Sequence, residues 1–357
     1  MRAGVGAAKF PRRAWAVAAI TMVLPAACTA TTVSRQGSLS AVAPFSGASR
    51  PVSGPPDAPP AAQPPAAQPP ARGPFAVGLR QVTFIDRSRT VPGSHTTTGR
   101  PGPRVLVTDV WYPAEGAPGG ISNPGAAPAG GRFPLVVFAP GFDRGPSSYA
   151  PLLAAWARAG YVVAAPSFPL TSPGAVGGLD EFDIVNQPGD LRFLIGRLSR
   201  ASASARGAFA GLIDPGRIAV AGHSDGADAA LAAADGSCCR DPRIGAVIVM
   251  AGAALPFGGR YFMQPGPPLL VMQGSADAFN PPAYARDLYA RAPPPKYLLW
   301  MPGADHSTPF TGTGPFAQAV RSVSTAFLGR YLGDPPVTPI GLPLAVRGTA
   351  TLSRAPR

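Results

Sequence analysis

The sequence predicts an α/β fold, with a mostly parallel β-sheet covered by helices on both faces. From residue 77 onward, apolar runs alternate with segments of helical pattern, and strands interleaved with helices indicate a parallel sheet. One strand and helix, at 218–234, are joined directly by the turn Gly222-His223-Ser224-Asp225-Gly226. The predicted domain, 76–335, is long enough to bury one core of this kind.

The individual elements follow from the same alternation. Strands are predicted at the apolar runs, which in chain order are 105–112, 133–139, 161–165, 218–221, 246–250, 269–273 and 297–301. Helices are predicted between them at 148–159, 187–200, 226–234, 282–291 and 315–331, of which the third is rich in alanine. The stretch 171–190, between a strand and a helix, is long for a connection. It is either a flap over the functional site or a loop packed on the sheet.

The N-terminus predicts export. Four basic residues precede the apolar run 14–24, which is too short for a stable membrane span but suits the core of a signal peptide at 1–27. Leu24-Pro25-Ala26-Ala27-Cys28 resembles a bacterial lipobox, which predicts lipidation of Cys28 and a membrane-anchored lipoprotein of the cell envelope. Plain secretion, with cleavage after a small residue, is the alternative.

Two further segments lie outside the predicted domain. Residues 28–75 are rich in proline and alanine with repeated Pro-Pro pairs, a composition that cannot bury a core and favours extended polyproline II. This segment is predicted to be a disordered, semi-rigid tether. The tail 336–357 contains several prolines without periodicity and is expected to be loosely ordered.

The Gly-x-Ser-x-Gly turn at 222–226 predicts a nucleophile. A strand, a sharp turn and a helix together hold a serine exposed above the sheet, and glycines at the flanking positions avoid collisions with neighbouring elements. We expect Ser224 to be the nucleophile.

A serine hydroxyl needs a base to take its proton, and histidine is the usual one. Of the three histidines, His95 lies in an upstream polar loop and His223 adjoins the serine, where consecutive side chains diverge. His306, which follows a predicted strand, is therefore the expected base. Asp277 also follows a strand and is expected to orient it, with Asp305 as the competing carboxylate.

The order Ser224, Asp277, His306 is that of α/β-hydrolases. Two backbone N–H groups are expected to stabilise a developing oxyanion: that of Asp225, at the start of a helix, and that of Phe142, in the loop after strand 133–139.

The chain resembles α/β-hydrolases of the group that includes dienelactone hydrolases, chlorophyllase-like enzymes, cutinase-like polyester hydrolases and platelet-activating-factor acetylhydrolase-like esterases. The resemblance covers about residues 77–332 and rests on Pro140-Gly141-Phe142, the turn 222–226, Gly274-Ser275-Ala276-Asp277 and Gly303-Ala304-Asp305-His306. In place of the second glycine that many relatives have after the turn, this chain has Ala227. The resemblance implies an α/β-hydrolase fold and reaction class more firmly than a substrate.

Charge and cysteine content exclude some functions. The formal net charge is +13, but the basic residues are arginines spread along the chain rather than a block interleaved with aromatics, so no nucleic-acid partner is expected. If Cys28 is acylated, Cys238 and Cys239 remain as a vicinal disulfide or a thiol pair. No residue cluster has metal-ligand spacing, and no cofactor is expected.

The sequence therefore predicts an exported serine esterase that acts on a small-molecule or lipid ester through an acyl-enzyme. An envelope acyltransferase using the same three residues, and a non-catalytic lipoprotein on a hydrolase scaffold, are the alternatives. The sequence does not specify the oligomeric state.

Overall fold

The structure is a computed structural model that describes residues 73–119, 122–333 and 348–355. The predicted signal peptide, the lipidation site at Cys28 and nearly all of the tether lie outside these residues. In the described part of the chain, ten strands form one sheet in the order β10-β9-β8-β7-β6-β4-β5-β2-β1-β3. Their bounds are β1 (Ala76–Val91), β2 (Gly102–Ala114), β3 (Asn123–Pro124), β4 (Phe133–Ala139), β5 (Val162–Ser167), β6 (Ile213–His223), β7 (Ile244–Met250), β8 (Leu269–Gly274), β9 (Lys296–Met301) and β10 (Thr351–Ala355).

The centre of the sheet is parallel, as predicted. Strands β5, β4, β6, β7, β8 and β9 all run in one direction. Towards the flanks, β1 pairs with β2, β2 with β5 and β10 with β9 in antiparallel fashion, and the short β3 is parallel to β1. Because the central strands share a direction, the loops after their carboxyl ends all meet at one edge of the sheet, which is where sites form in such folds.

Helices cover both faces of the sheet. They are α1 (Ala150–Arg158), α2 (Gln187–Ala203), α3 (Asp225–Asp235), α4 (Pro282–Arg291), α5 (Thr308–Thr311) and α6 (Pro315–Leu332). Buried side chains of α2, α3 and α4 belong to one hydrophobic cluster, and those of α1, α5 and α6 to a second. Successive residues of β4 alternate between the clusters: Leu135 and Val137 in the first, Val136 and Phe138 in the second.

Three strands at or next to the ends of the sheet, β1, β3 and β10, were not predicted. β1 alternates buried and exposed positions and carries charged residues, as in Arg80, Asp86 and Arg87, so it contains no continuous apolar run. β10 is a polar edge strand held by backbone pairing to β9. The segment 336–357 was expected to be a loosely ordered tail, but its residues Thr351–Ala355 form β10. A polar segment can form such an edge strand because backbone hydrogen bonds to a sheet edge do not require apolar side chains.

A buried ionic cluster fixes the stretch that precedes α2. Arg104 of β2 is fully buried and donates hydrogen bonds of 2.7–2.9 Å to the carboxylates of Asp183 and Asp190. Arg89 contacts Asp190 from the other side at 2.7 Å. Ile184 is buried, whereas Phe182 is 85% exposed. The stretch 171–190 is thus attached to the sheet at its base while it presents an apolar side chain to solvent.

Two observations bear on the cysteines and on the membrane. Cys238 and Cys239, whose state the sequence left open, form a disulfide. Within residues 73–119, 122–333 and 348–355, no helix is long and apolar enough to cross a membrane.

Candidate active site

Ser224 lies at the turn between β6 and α3, at the carboxyl edge of the sheet. Its backbone adopts φ 55° and ψ −125°, a strained conformation for a residue with a side chain. The flanking glycines make the turn possible. A Cβ on Gly222 would overlap the backbone of Gly226, and one on Gly226 would overlap the carbonyl of Ala139. The turn thus projects Ser224 away from the sheet at the N-terminus of a helix.

The structure brings together three residues that were predicted from separate parts of the sequence. The Oγ of Ser224 lies 3.0 Å from Nε2 of His306, and Nδ1 of His306 lies 2.8 Å from Oδ2 of Asp277. The carboxylate accepts the Nδ1 hydrogen, which leaves Nε2 to accept the serine proton. This is the geometry in which histidine acts as a general base for serine.

The carboxylate of Asp277 is held by donors on both oxygens. Oδ1 accepts the backbone N–H groups of Phe279 and Asn280, each at 2.9 Å. Oδ2 accepts the side-chain amide of Gln273 at 2.9 Å in addition to His306. Burial alone would raise the pKa of Asp277, but these hydrogen bonds and the nearby imidazole outweigh it and lower the pKa. The group therefore stays ionised at neutral pH.

Asp305, the competing carboxylate, and His95, the remote histidine, make other hydrogen bonds. Asp305 accepts the backbone N–H groups of Ser307 and Thr308 at 2.8 and 2.7 Å, so it caps the start of α5. The Nδ1 of His95 contacts the carbonyl of Val176 at 3.1 Å.

The two expected oxyanion donors adjoin Ser224 and Gly141 in the chain: Asp225 follows Ser224, and Phe142 follows Gly141. In the described structure, the backbone N–H groups of Phe142 and Asp225 donate no hydrogen bond. Gly141 lies directly against the nucleophile, since a Cβ there would be 3.1 Å from Cβ of Ser224. The loop is anchored by the N–H of Asp143, which donates to the carbonyl of Thr171 at 2.8 Å. Unpaired N–H groups at this position are suited to binding a developing negative charge.

The side chain of Asp225 was not part of the prediction. Its Oδ2 is buried without a hydrogen-bond partner. Burial, followed by the negative charge of Glu181, raises the pKa of Asp225 to about 6. Near neutral pH this carboxyl therefore titrates beside the nucleophile.

Apolar side chains are exposed near the site. Six large ones lie in segments that follow the carboxyl ends of β5, β7 and β8, namely Val176, Leu179, Phe182, Val185, Leu255 and Phe279. Phe279 is 79% exposed, and its ring lies 5.1 Å from that of His306. We call these six residues the apolar rim. Such a concentration of exposed apolar side chains is typical of a surface that receives apolar groups.

Sequence reasoning missed a second histidine at the site. His223 is fully buried, and its two ring nitrogens lie 2.8 Å from the hydroxyl of Tyr149 and 2.8 Å from the backbone carbonyl of His306. The sequence analysis considered His223 only as a base. Its position next to the nucleophile, in a chain with three histidines, was the available signal, whereas Tyr149 carried none.

Comparisons with known proteins support the fold. No protein-family model and no curated protein matches the chain. Among solved structures, the chain is similar to a ferulic acid esterase from Streptomyces cinnamoneus, with 21% sequence identity, a TM-score of 0.58, and coverage of 81% of this chain and 98% of that chain. At this identity the likeness shows the fold alone, and the mixed sheet with helices on both faces fits an α/β-hydrolase-like fold.

Proposed function

We propose that this protein is a serine hydrolase that cleaves carboxylic esters through an acyl-enzyme. The observation that carries the proposal is the hydrogen-bonded series from Ser224 through His306 to Asp277, with the serine on a strained turn at the carboxyl edge of the sheet. The resemblance of four loop motifs to the dienelactone hydrolase and cutinase-like group, and the esterase fold of the structural neighbour, support the same reaction class.

The reaction follows from the geometry. Oγ of Ser224 attacks the ester carbonyl carbon while Nε2 of His306 takes its proton, and Asp277 stabilises the resulting imidazolium. The carbonyl oxygen becomes an oxyanion that accepts hydrogen bonds from the N–H groups of Phe142 and Asp225. The tetrahedral intermediate collapses, and His306 gives its proton to the departing alcohol. Water, activated by the same histidine, then hydrolyses the acyl-enzyme and restores the serine.

The apolar rim supports esters that carry an apolar acyl or alcohol group. Phe182 and Phe279 are the most exposed of its members, and their burial against substrate would remove apolar area from water, which is favourable by about 25 cal/mol per Å². The titratable carboxyl of Asp225 beside the nucleophile disfavours substrates that are anionic next to the scissile bond. A neutral ester of a small molecule or lipid fits both features.

The first test is hydrolysis of p-nitrophenyl esters, from acetate to palmitate, by the wild-type protein and the Ser224→Ala and His306→Ala variants. We expect each variant to lose activity by about 10⁶-fold in kcat. His95→Ala is the matched control and should retain wild-type activity. A fluorophosphonate probe should label the wild type and not Ser224→Ala. Equal labelling, or turnover that survives in Ser224→Ala, would refute the proposal.

Transfer of the acyl group to an alcohol, instead of to water, is tested in the same assay. If added alcohols capture the acyl group in preference to water and the product ester is retained, the enzyme is an acyltransferase that uses the same residues. If a folded wild-type protein is neither labelled nor active, a non-catalytic role replaces both.

For location, we propose export and attachment to a bacterial membrane through acylated Cys28. The support is the sequence of residues 1–28, with its basic start, short apolar run and lipobox-like end. Cys28→Ser should release the protein from the membrane fraction and abolish incorporation of labelled fatty acid. Release of the wild-type protein into the medium would favour plain secretion.

A further inference from the structure

We propose that Tyr149 and His223 are positioning residues that join the oxyanion loop to the loop of the general base. The inference rests on the proposed function and deepens it. Three buried hydrogen bonds form a continuous series: the N–H of Gly141 to the hydroxyl of Tyr149 at 3.2 Å, that hydroxyl to Nδ1 of His223 at 2.8 Å, and Nε2 of His223 to the carbonyl of His306 at 2.8 Å. We call this series the Tyr149–His223 bridge.

The direction of each bond in the bridge is determined by its ends. The carbonyl of His306 can only accept, so Nε2 of His223 carries the hydrogen. In a neutral ring Nδ1 is then an acceptor, and it receives the hydroxyl hydrogen of Tyr149. The tyrosine oxygen in turn accepts the N–H of Gly141. Every donor of the bridge is therefore used, which is the condition under which a buried polar network is rigid.

Burial keeps the bridge in this one protonation state. Burial, with a further effect of the charge on His306, lowers the pKa of His223 to about 3; Asp277 acts in the opposite direction and Arg144 in the same one. Burial likewise raises the pKa of Tyr149 to about 12, partly offset by the N–H of Gly141. His223 is thus neutral where His306 must gain and lose a proton, and it does not compete for that proton.

The ring of His223 is also packed between groups of the site. Its centroid lies 4.7 Å from the ring of His306, 4.9 Å from Phe310 and 5.6 Å from Tyr149. A Cβ on Gly141 would lie 3.2 Å from its Nδ1. One side chain therefore contacts the oxyanion loop and the base loop, while its own backbone leads directly into the nucleophile.

The consequence is a fixed separation between the two groups that act on the substrate. The oxyanion donor Phe142 follows Gly141 directly, and the general base is the same residue whose carbonyl the bridge holds. A displacement of about 1 Å in such a constellation can cost about 100-fold in rate. Loss of the bridge should therefore lower kcat while KM, which depends on the apolar rim, changes little.

Two substitutions of His223 separate the two halves of the bridge. His223→Gln places its amide nitrogen near the former Nε2, so the bond to the carbonyl of His306 is kept and that to Tyr149 is lost. His223→Asn keeps a polar atom near the former Nδ1 for Tyr149 and loses the bond to His306. Tyr149→Phe removes only the hydroxyl, which breaks the bonds to Gly141 and to His223 and keeps the bond from His223 to the carbonyl of His306.

These variants should differ with the leaving group. An alkyl ester needs a proton from His306 to release its alcohol, whereas a p-nitrophenyl ester does not. We expect His223→Asn to lower kcat roughly 10- to 100-fold on alkyl esters and less on p-nitrophenyl esters. We expect Tyr149→Phe to lower kcat on both ester types by the same factor, and His223→Gln to recover the alkyl-ester rate relative to His223→Asn. Each variant is first checked by thermal unfolding.

A merely structural role would give a different result. In that case kcat would follow thermal stability, KM would rise together with the loss of kcat, and the two ester types would decline equally in all three variants. That outcome would overturn the proposal. If His223→Gln or Tyr149→Phe does not fold, the other still compares the Tyr149 half of the bridge with the His306 half that His223→Asn breaks. If His223→Asn does not fold, the ring form of His223 measured by NMR tests the bridge.

The bridge can also be tested without turnover, so that its failure is distinguishable from failure of the proposed function. The chain has three histidines, so ¹⁵N NMR of the labelled protein, assigned with His95→Gln and His306→Gln, resolves each ring. We expect one ring to remain in the neutral Nε2–H form from pH 5 to 8, with an Nδ1 signal that moves in Tyr149→Phe. A ring at position 223 that is protonated in this range, or that carries hydrogen on Nδ1, would overturn the bridge even if ester hydrolysis is established.

Discussion

Replacing Asp277 by asparagine should inactivate the enzyme without unfolding it, for a reason that the contacts of the carboxylate supply. Oδ1 is held by two backbone N–H groups, those of Phe279 and Asn280. An asparagine must place its amide oxygen there, because an NH₂ group cannot accept from two donors. Its NH₂ group therefore takes the position of Oδ2, 2.8 Å from Nδ1 of His306. The amide of Gln273, which donates to Oδ2 at 2.9 Å, must then turn its unpartnered oxygen towards the NH₂ group.

This orientation of the asparagine reverses the tautomer of His306. With an NH₂ group facing it, Nδ1 becomes the acceptor and the ring hydrogen moves to Nε2. Nε2 then points a hydrogen at Oγ of Ser224, 3.0 Å away, and cannot take the serine proton. The same change of carboxylate to amide in a serine protease triad costs about 10⁴ in kcat, which corresponds to about 5.5 kcal/mol of transition-state stabilisation.

The assay is steady-state hydrolysis of the best p-nitrophenyl ester, with kcat and KM measured for wild type, Asp277→Asn and Asp305→Asn. Asp305→Asn is the matched control, because that carboxylate lies next to His306 in sequence but caps α5. We expect Asp277→Asn to lose about 10⁴ in kcat and Asp305→Asn to stay within a few fold of wild type. If Asp277→Asn keeps a tenth of the activity, or Asp305→Asn loses as much, the assignment of the orienting carboxylate is refuted.

Three further predictions concern packing and charge. Gly141→Ala should lower kcat by about 10- to 100-fold with little change in stability, because the added Cβ would lie 3.1 Å from Cβ of Ser224 and displace the oxyanion loop; steady-state kinetics and a melting curve check this. Arg104→Met should cost about 3–5 kcal/mol in urea denaturation, because it leaves the buried carboxylate of Asp183 without a cation and that of Asp190 with Arg89 alone. Asp228→Asn should flatten the pH dependence of stability between about pH 4 and 7. Burial raises the pKa of Asp228 to about 7, against backbone hydrogen bonds that lower it. Between these pH values the folded state therefore binds more protons than the unfolded chain. The free energy of unfolding of the wild type falls as pH rises, by up to about 4 kcal/mol.

Each of these predictions has its own control or contradicting result. Gly145→Ala lies in the same loop with open space around the added Cβ, and equal losses in Gly145→Ala and Gly141→Ala would contradict the steric argument. For Arg104→Met, conversion of both partner aspartates to asparagine should recover part of the loss. For Asp228→Asn, a denaturation midpoint that falls with pH as steeply as in the wild type would show that another group is responsible.

The central strands could be predicted because their apolar character is local. The strand at Phe133–Ala139 and the helix at Pro282–Arg291 have the predicted bounds. The strand is an apolar run that is stable when both its faces are buried, and the helix buries only one face, at Ala285 and Leu288. β1 and β10 could not be found in this way, because their polar side chains are compatible with a strand only when a neighbour offers backbone partners.

The candidate site also contains residues that the sequence could predict and residues that it could not. Ser224, His306 and Asp277 could be proposed because the turn has a sequence signature and strand ends in a parallel sheet converge. The Tyr149–His223 bridge has no such signature. It links residues that are 74 and 83 positions apart in the chain, and the identity of each partner depends on which atoms the fold leaves facing one another.

The sequence alone thus determined the central parallel sheet, the turn at Ser224 and the candidate residues Ser224, Asp277 and His306, because periodicity, glycine spacing and strand ends are properties of neighbouring residues. The tertiary structure decided which protons they can exchange: Asp277 rather than Asp305 beside the base, a buried neutral His223, a titrating Asp225 and the fully buried Arg104. The direction of each hydrogen bond and the burial of these side chains away from water depend on atoms from distant segments. These contacts exist only once the chain has folded.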